Sequence, residues 1–175
     1  MGGFTKLRED HEARYVSEYV LQKYPHDEVK YRCPLGMVPE QFIAALGLGK
    51  AVRMYRPYRP ECDAAVITDN EIVLIEGKIF KVVDGLAKLP LYRFLVPQTP
   101  EFSPFKSLPV RALLVTPKRL TWGEDYAREA KVSVDYFMPA WIAEYYERQE
   151  RYWTGEERFK RYKRGEILKR LGYEK

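Results

Sequence analysis

The chain has two cysteines, two histidines and no long apolar run, and these shortages exclude several kinds of protein before any motif is read. Cys33 and Cys62 lack the close spacing of a zinc knuckle and are too few for a disulfide framework, which agrees with a reducing compartment. His11 and His26 have no partner at ligand spacing, so a zinc site or a histidine-based triad lacks support. No stretch approaches the ~20 apolar residues that a membrane helix needs. The N-terminal MGGFTKLRED has no apolar core of a secretory signal, so the expectation is a cytoplasmic protein without a membrane span. Internal repeats and low-complexity tracts are absent. Gly47-Leu48-Gly49-Lys50 superficially suggests a phosphate loop, but such a loop needs Gly where Ala44 stands and Ser or Thr where Ala51 stands, and a nucleotide site is rejected.

What the chain does have is material for a core and a modest excess of positive charge. Its 175 residues, 46% of them hydrophobic, suffice for one packed domain. The formal charge of +5 favours anionic partners, yet 25 acids are interspersed among 30 bases, so local clusters carry more information than the total.

The most informative stretch is CDAAVITDNEIVLIEGKI, residues 62–79. Two runs rich in β-branched residues flank Asp69-Asn70, a turn pair, and this predicts a hairpin. With Asp69 and Asn70 as the turn, Ile67 faces Ile72, Ala65 faces Leu74 and Asp63 faces Glu76. A three-residue loop would put the two acids on opposite faces. Lys78 projects from the face of Glu76, because side chains alternate with a period of two. Opposed carboxylates repel unless a cation lies between them. A hard divalent cation takes such oxygen ligands and leaves positions for water and phosphate, and a neighbouring lysine can orient a water or neutralise charge developing on a phosphate. In outline this is a site for cleaving phosphodiesters, although Glu and Lys at strand ends are also ordinary solvated residues.

Asp63 followed by Glu76-Gly77-Lys78, in the setting VLIEGKI, resembles the motif of the PD-(D/E)xK nuclease superfamily, and VDGLAKLPLY from Val83 to Tyr92 is similar to the post-motif helix of its phage and mobile-element members. The resemblance runs from the first helix to about residue 135. It implies a restriction-endonuclease-like αβββαβ core, Mg²⁺ or Mn²⁺ as cofactor, and a DNA endonuclease, placed in the host cytoplasm if phage-encoded. It further implies that Asp63 and Glu76 hold the metal with one main-chain carbonyl, from Gly77 or Ile79, and that Lys78 positions the attacking water. An acid on the first helix would join them: Glu12, with Glu9 and Glu18 as alternatives. A homodimer or a protein partner is a candidate means of defining where such a small nuclease cuts. Family members place a Gln on the post-motif helix in a Gly-x-Gly-Gln-Leu context, and here Ala87 and Lys88 stand at the last two of those glycine and glutamine positions. Two readings stay open: a nuclease in which Lys88 contacts a phosphate, or a nuclease fold that has lost cleavage and serves in DNA binding or in phage or mobile-element assembly.

Around this centre, residues 5–24 predict a helix with Leu7, Tyr15, Val16, Tyr19 and Val20 on one face and Pro25 as its stop. Pro39 opens a short helix ended by Gly47. KAVRMYRPYRP, residues 50–60, is expected to begin as a strand and to continue as a proline-broken edge. There Arg53, Arg56 and Arg59 are interleaved with Tyr55 and Tyr58, a pattern suited to phosphate contact and base stacking or to blocking sheet addition. Asp84-Gly85 reads as a turn, residues 86–96 as a helix started or kinked at Pro90, and residues 97–109 as loop. Residues 110–115 form an internal strand, 123–131 a helix and 132–136 a last strand. Helix, three strands, helix, strand, helix, strand gives an α/β fold with a mixed sheet and helices on both faces. Residues 1–138 are taken as this core and 139–175 as a helical basic extension. In that extension Lys160, Arg161, Lys163 and Arg164, with Phe159 and Tyr162 among them, are candidates for gripping a nucleic-acid backbone.

Overall fold

The structure, a computed structural model, describes residues 3–121, 123–152 and 155–170, with the side chains of 3–10, 149–152, 155–158, 161, 165 and 168 outside the described set. The chain divides into two compact units, Met1–Phe137 and Met138–Lys175.

The first unit is α/β, built on one open sheet of five strands that lie side by side in chain order: β1 (Glu28–Pro34), β2 (Glu61–Ile67), β3 (Ile72–Gly77), β4 (Val110–Thr116) and β5 (Val132–Tyr136). The first three pair antiparallel, and β4 and β5 run parallel to β3. Each parallel step requires a crossover; α4 (Val82–Leu95) and α5 (Glu124–Glu129) supply them. The β2–β3 register is the one read from the turn pair, with Ile67 opposite Ile72 and Ala65 opposite Leu74. Thr68 closes that turn: its amide donates to the Glu71 carbonyl at 3.0 Å, and its hydroxyl accepts from the Glu71 amide.

Period-two alternation then sends the strands' side chains to two helical layers. Ile72 and Leu74 meet Leu86, Leu89 and Tyr92 of α4 in the main core. On the other face lies α1 (Gly3–Lys23), whose Val16 abuts Gly77.

Three expectations are corrected. Residues 50–60 contain no strand: α2 (Glu40–Leu46) is followed, across Gly47 at φ +73°, by α3 (Leu48–Tyr55) and a 3₁₀ turn at Arg56–Tyr58. The spacing accounts for it, since Leu48, Ala51, Val52 and Tyr55 recur at i, i+3, i+4 and i+7, the helical repeat. Tyr55 packs its ring 5.4 Å from Phe42 of α2 and 5.3 Å from Tyr58, which ties the two helices and the turn together. The first strand is instead β1, where Glu28, Lys30 and Arg32 alternate with Val29, Tyr31 and Cys33. Gly85 sits inside α4 rather than in a turn. The order therefore opens helix, strand, two helices, two strands.

The second unit comprises α6 (Ala140–Tyr152) and α7 (Gly155–Arg170). On α7, Phe159, Lys160, Tyr162, Lys163 and Arg164 are exposed, with the Lys163 ammonium 5.0 Å above the Phe159 ring. Among the described residues no helix is long and apolar enough to cross a membrane.

Candidate active site

Two glycines decide how closely the helical layers approach the end of β3. A Cβ on Gly77 would lie 2.3 Å from Val16 Cγ2, so only glycine lets α1 cross the strand there. Glu12 is one helical turn before Val16, and this crossing delivers it to the strand end. A Cβ on Gly85 would lie 2.7 Å from Leu114 Cδ1 and 3.0 Å from Lys78 Cγ, so the first turns of α4 rest directly on the stems of Glu76 and Lys78. The result is a buried Glu76, 1% exposed at its side chain, and a Lys78 that is 9% exposed.

The Lys78 ammonium stands among three carboxylates. It donates to Glu12 Oε2 at 3.1 Å, lies 3.1 Å from Glu76 Oε1, and is 3.7 Å from Asp63 Oδ2. Burial is the strongest single influence on this lysine and would depress its pKa, but Asp63, Glu76 and Glu12 together outweigh it and hold the ammonium above its ordinary value. Lys78 is therefore a fixed cation at neutral pH. Glu76 shows the opposite balance: burial first, then the Asp63 charge, push its carboxyl up, with Lys78 and Lys88 pulling it back. Its Oε2 is buried and has no hydrogen-bond partner.

Asp63 leaves the ladder at this point. β2–β3 pairing reaches Ala64–Ile75 and stops, and the next amide, that of Gly77, donates to Asp63 Oδ2 at 2.9 Å. On the other side, β1–β2 pairing skips the Arg32–Asp63 position while keeping one register, Tyr31 with Ala64 and Cys33 with Cys62. Arg32 has φ +48°. This left-handed residue inverts the alternation of β1, so that Tyr31 lines an open cleft of about 640 Å³ beside Ala13 and Val16 while Cys33 enters the core under α4. Glu12, Asp63, Arg32 and Lys88 line the same cleft.

Of the residues singled out in the sequence, Glu12, Asp63, Glu76 and Lys78 thus meet. Lys88, half exposed on α4, reaches Glu76 Oε1 at 3.4 Å. Gly77 ends β3 and the buried Ile79 follows two residues on. Glu18 pairs with Arg14 on α1 at 2.8 Å and does not enter the cluster; the side chain of Glu9 lies outside the described residues, as does that of Arg161. The arginines of residues 50–60 do not form an extended edge. Arg53 is exposed on α3, and Arg56 donates to Glu61 and to the Arg32 carbonyl. Arg59, 2% exposed at its side chain, is locked in a two-pronged pair with Glu101, and its candidacy as a phosphate contact is corrected to a buried structural pair.

Sequence reasoning took Gly85 for part of a turn and passed over Arg32. A glycine one turn into an otherwise regular helix signals close approach, whereas nothing in the sequence marks an arginine as left-handed.

Among the described residues no group of three or more His, Cys, Asp and Glu side chains is arranged to hold a metal ion. What Asp63 and Glu76 offer is a hard-oxygen pair, one member one-third exposed and the other with an orphaned buried oxygen, which fits a cation that completes its shell with water and phosphate. Compared with models of protein families, with curated proteins and with solved structures, the chain matches none.

Proposed function

We propose that this protein is a metal-dependent DNA endonuclease of the PD-(D/E)xK superfamily, in which α1, β1, β2, β3, α4 and β4 form a restriction-endonuclease-like αβββαβ core interrupted by the α2–α3 pair. The observation that carries the reading is the Lys78 ammonium held among Glu12, Asp63 and Glu76 at the end of one hairpin. Asp63 and Glu76, with a main-chain carbonyl of Gly77 or Ile79, would hold Mg²⁺ or Mn²⁺. That ion, when bound, lowers the pKa of a coordinated water and polarises the phosphate. The remaining tasks fall to the chain. Lys78, held as an ammonium by the acids around it, donates hydrogen bonds and supplies positive charge where the phosphate gains negative charge. Glu12 orients Lys78 through the 3.1 Å hydrogen bond. α4 covers the stems of Glu76 and Lys78 and keeps water from their flanks, which strengthens each charge interaction.

A cytoplasmic setting, that of a host cell if the chain is phage-encoded, agrees with two free thiols at Cys33 and Cys62. Lys88 favours a second reading, a nuclease fold that binds DNA or serves in assembly without cutting, because its ammonium lies 3.4 Å from Glu76 Oε1 and competes with a metal for that oxygen. Plasmid nicking in Mg²⁺ and in Mn²⁺ separates the two. Wild-type protein is expected to nick supercoiled DNA, and Asp63→Asn to lose both nicking and Mn²⁺ binding by calorimetry. Mn²⁺ affinity untouched by Asp63→Asn would remove the site assignment, and DNA binding without nicking in either metal would leave the second reading.

A further inference from the structure

The left-handed turn at Arg32 in β1 is a strained feature: it turns Cys33 into the core, and the Arg32 carbonyl accepts a hydrogen bond from Arg56, yet neither contact uses the Arg32 guanidinium. For an L-residue other than Gly, Asn or Asp that conformation costs about 1 kcal/mol or more, and such strain concentrates where a side chain must be presented in a particular direction. Glycine would occupy the position without cost, yet an arginine is there. Its consequence is local: the register of β1 on β2 is unchanged on either side, and only the facing of the side chains is altered.

The guanidinium so presented is 80% exposed at the cleft, on the β1 position opposite Asp63. Its ionic partner among the described residues is Glu61 at 3.4 Å, and that carboxylate is engaged more closely by Arg56 at 2.7 Å. An arginine carries five N–H donors in a planar fork, the geometry that matches a phosphate. Tyr31, the preceding residue, is 45% exposed on the same cleft and offers a ring face on which a base of any identity can stack.

We infer that Arg32 is a phosphate-binding residue, and that with Tyr31 it forms the subsite for the nucleotide flanking the phosphate acted on at Asp63 and Glu76. The inference rests on the nuclease reading and deepens it: the ligand is a nucleic-acid strand held by its backbone and by stacking, with little regard to base sequence. Charge adds a condition. Glu12, Glu61 and Asp63 outnumber Arg32 and Lys88 along the cleft, so a polyanion enters only when a divalent cation offsets the acids.

The test uses the full chain and a fluorescent phosphorothioate oligonucleotide that resists cleavage, single-stranded in one arm and duplex in the other, titrated by anisotropy with and without Mg²⁺. Arg32→Gly should keep or raise the melting temperature, because the strain is relieved, and should weaken Mg²⁺-dependent binding by about tenfold or more, the loss of a charged hydrogen-bonding contact. The same variant should flatten the salt dependence by about 0.7 on a single strand or about 0.9 on a duplex, and the arm showing the larger loss identifies the strand form that fills the cleft. Arg32→Asn, which also tolerates the backbone, should reproduce the loss, and Arg32→Lys should keep the salt slope while losing part of the affinity. If Arg32→Gly and Arg32→Asn bind the oligonucleotide as wild type does while wild type nicks plasmid, the Arg32 inference is overturned and the nuclease reading stands. If wild type neither nicks plasmid nor binds either arm with Mg²⁺, both fall together.

Discussion

At the scale of single residues the proposed metal would have to contest its oxygens with an ammonium. Lys78 lies within 3.1 Å of Glu12 and Glu76 and 3.7 Å of Asp63, which is the neighbourhood a divalent cation would share. Its folded pKa is raised, so its contribution to stability is fully present below the ordinary lysine value of about 10.4 and is lost only as pH rises through the raised value. Lys78→Met should therefore lower the melting temperature of the metal-free protein at pH 7, since three acids then face one another without their cation. The same change should tighten Mn²⁺ binding, because a like charge has gone, and should slow cleavage by about two orders of magnitude, as for loss of one preorganised electrostatic group. Weaker Mn²⁺ binding in Lys78→Met would show that the lysine supports the metal site rather than competing with it. Glu76 has the same pH sign in a lower window, but there the neutral form is the one that is favoured. Its raised carboxyl pKa withdraws stability as pH rises from the unfolded value, about 4.3, through the folded one. In chelator, Glu76→Gln should be more stable than wild type at pH 7, with the gain fading as the pH is lowered toward 4; denaturant midpoints across that range read it directly. A gain that does not change with pH would mean that Glu76 is not the group held in the wrong charge state.

At the scale of elements, the site depends on two helices coming closer to β3 than any side chain would permit. Gly77→Ala would place a methyl 2.3 Å from Val16 Cγ2, and the stiff, buried valine has little room to yield. Overpacking of this kind costs about 1–3 kcal/mol, and because α1 carries Glu12, the shift should also lengthen the Glu12–Lys78 contact. Val16→Ala in the same chain should recover most of the stability, and a double-mutant cycle measures the coupling. Additive losses would show that the crossing is not what confines Gly77. Much of this architecture was legible beforehand. The β2–β3 register followed from Asp69-Asn70 alone, β4 from a nearly continuous apolar run bounded by Thr116-Pro117, as befits a strand buried on both faces, and β5 from its place after the α5 pattern. The segment from 25 to 60 was not legible to the same degree. Residues 48–55 carry a helical repeat, Leu48, Ala51, Val52 and Tyr55, beside the Pro57 and Pro60 that suggest a broken edge, and the packing of Tyr55 on Phe42 goes with the helix. Asp63, Glu76 and Lys78 could be chosen from hairpin spacing, whereas Glu12 came from the resemblance alone, with Glu9 and Glu18 left open beside it. The left-handed Arg32 and the buried pairing of Arg59 with Glu101 could not, because both depend on neighbours distant in sequence.

At the scale of the whole molecule, +5 is a small charge for 175 residues, and where the bases stand matters more than their excess. In the first unit Arg59 is held by Glu101 and Arg56 by Glu61, while in the second unit Lys160, Lys163 and Arg164 are exposed on α7. Lys160, Lys163 and Arg164 fall at i, i+3 and i+4, so they project from one side of that helix. If they meet phosphates, the logarithm of DNA affinity falls linearly with that of salt, and each contact adds about 0.9 to the slope on duplex DNA. Replacing all three by Gln should then flatten the slope by up to about 2.7. It should weaken binding equally for unrelated sequences, since backbone contacts position a duplex without reading it. Nicking at saturating DNA should be unchanged, because none of the three is part of the Asp63–Glu76–Lys78 cluster. A triple variant with wild-type salt slope would make α7 an ordinary solvated helix and place the whole electrostatic grip on DNA in the first unit, with Lys88 and the exposed Arg53 as the next cations to neutralise.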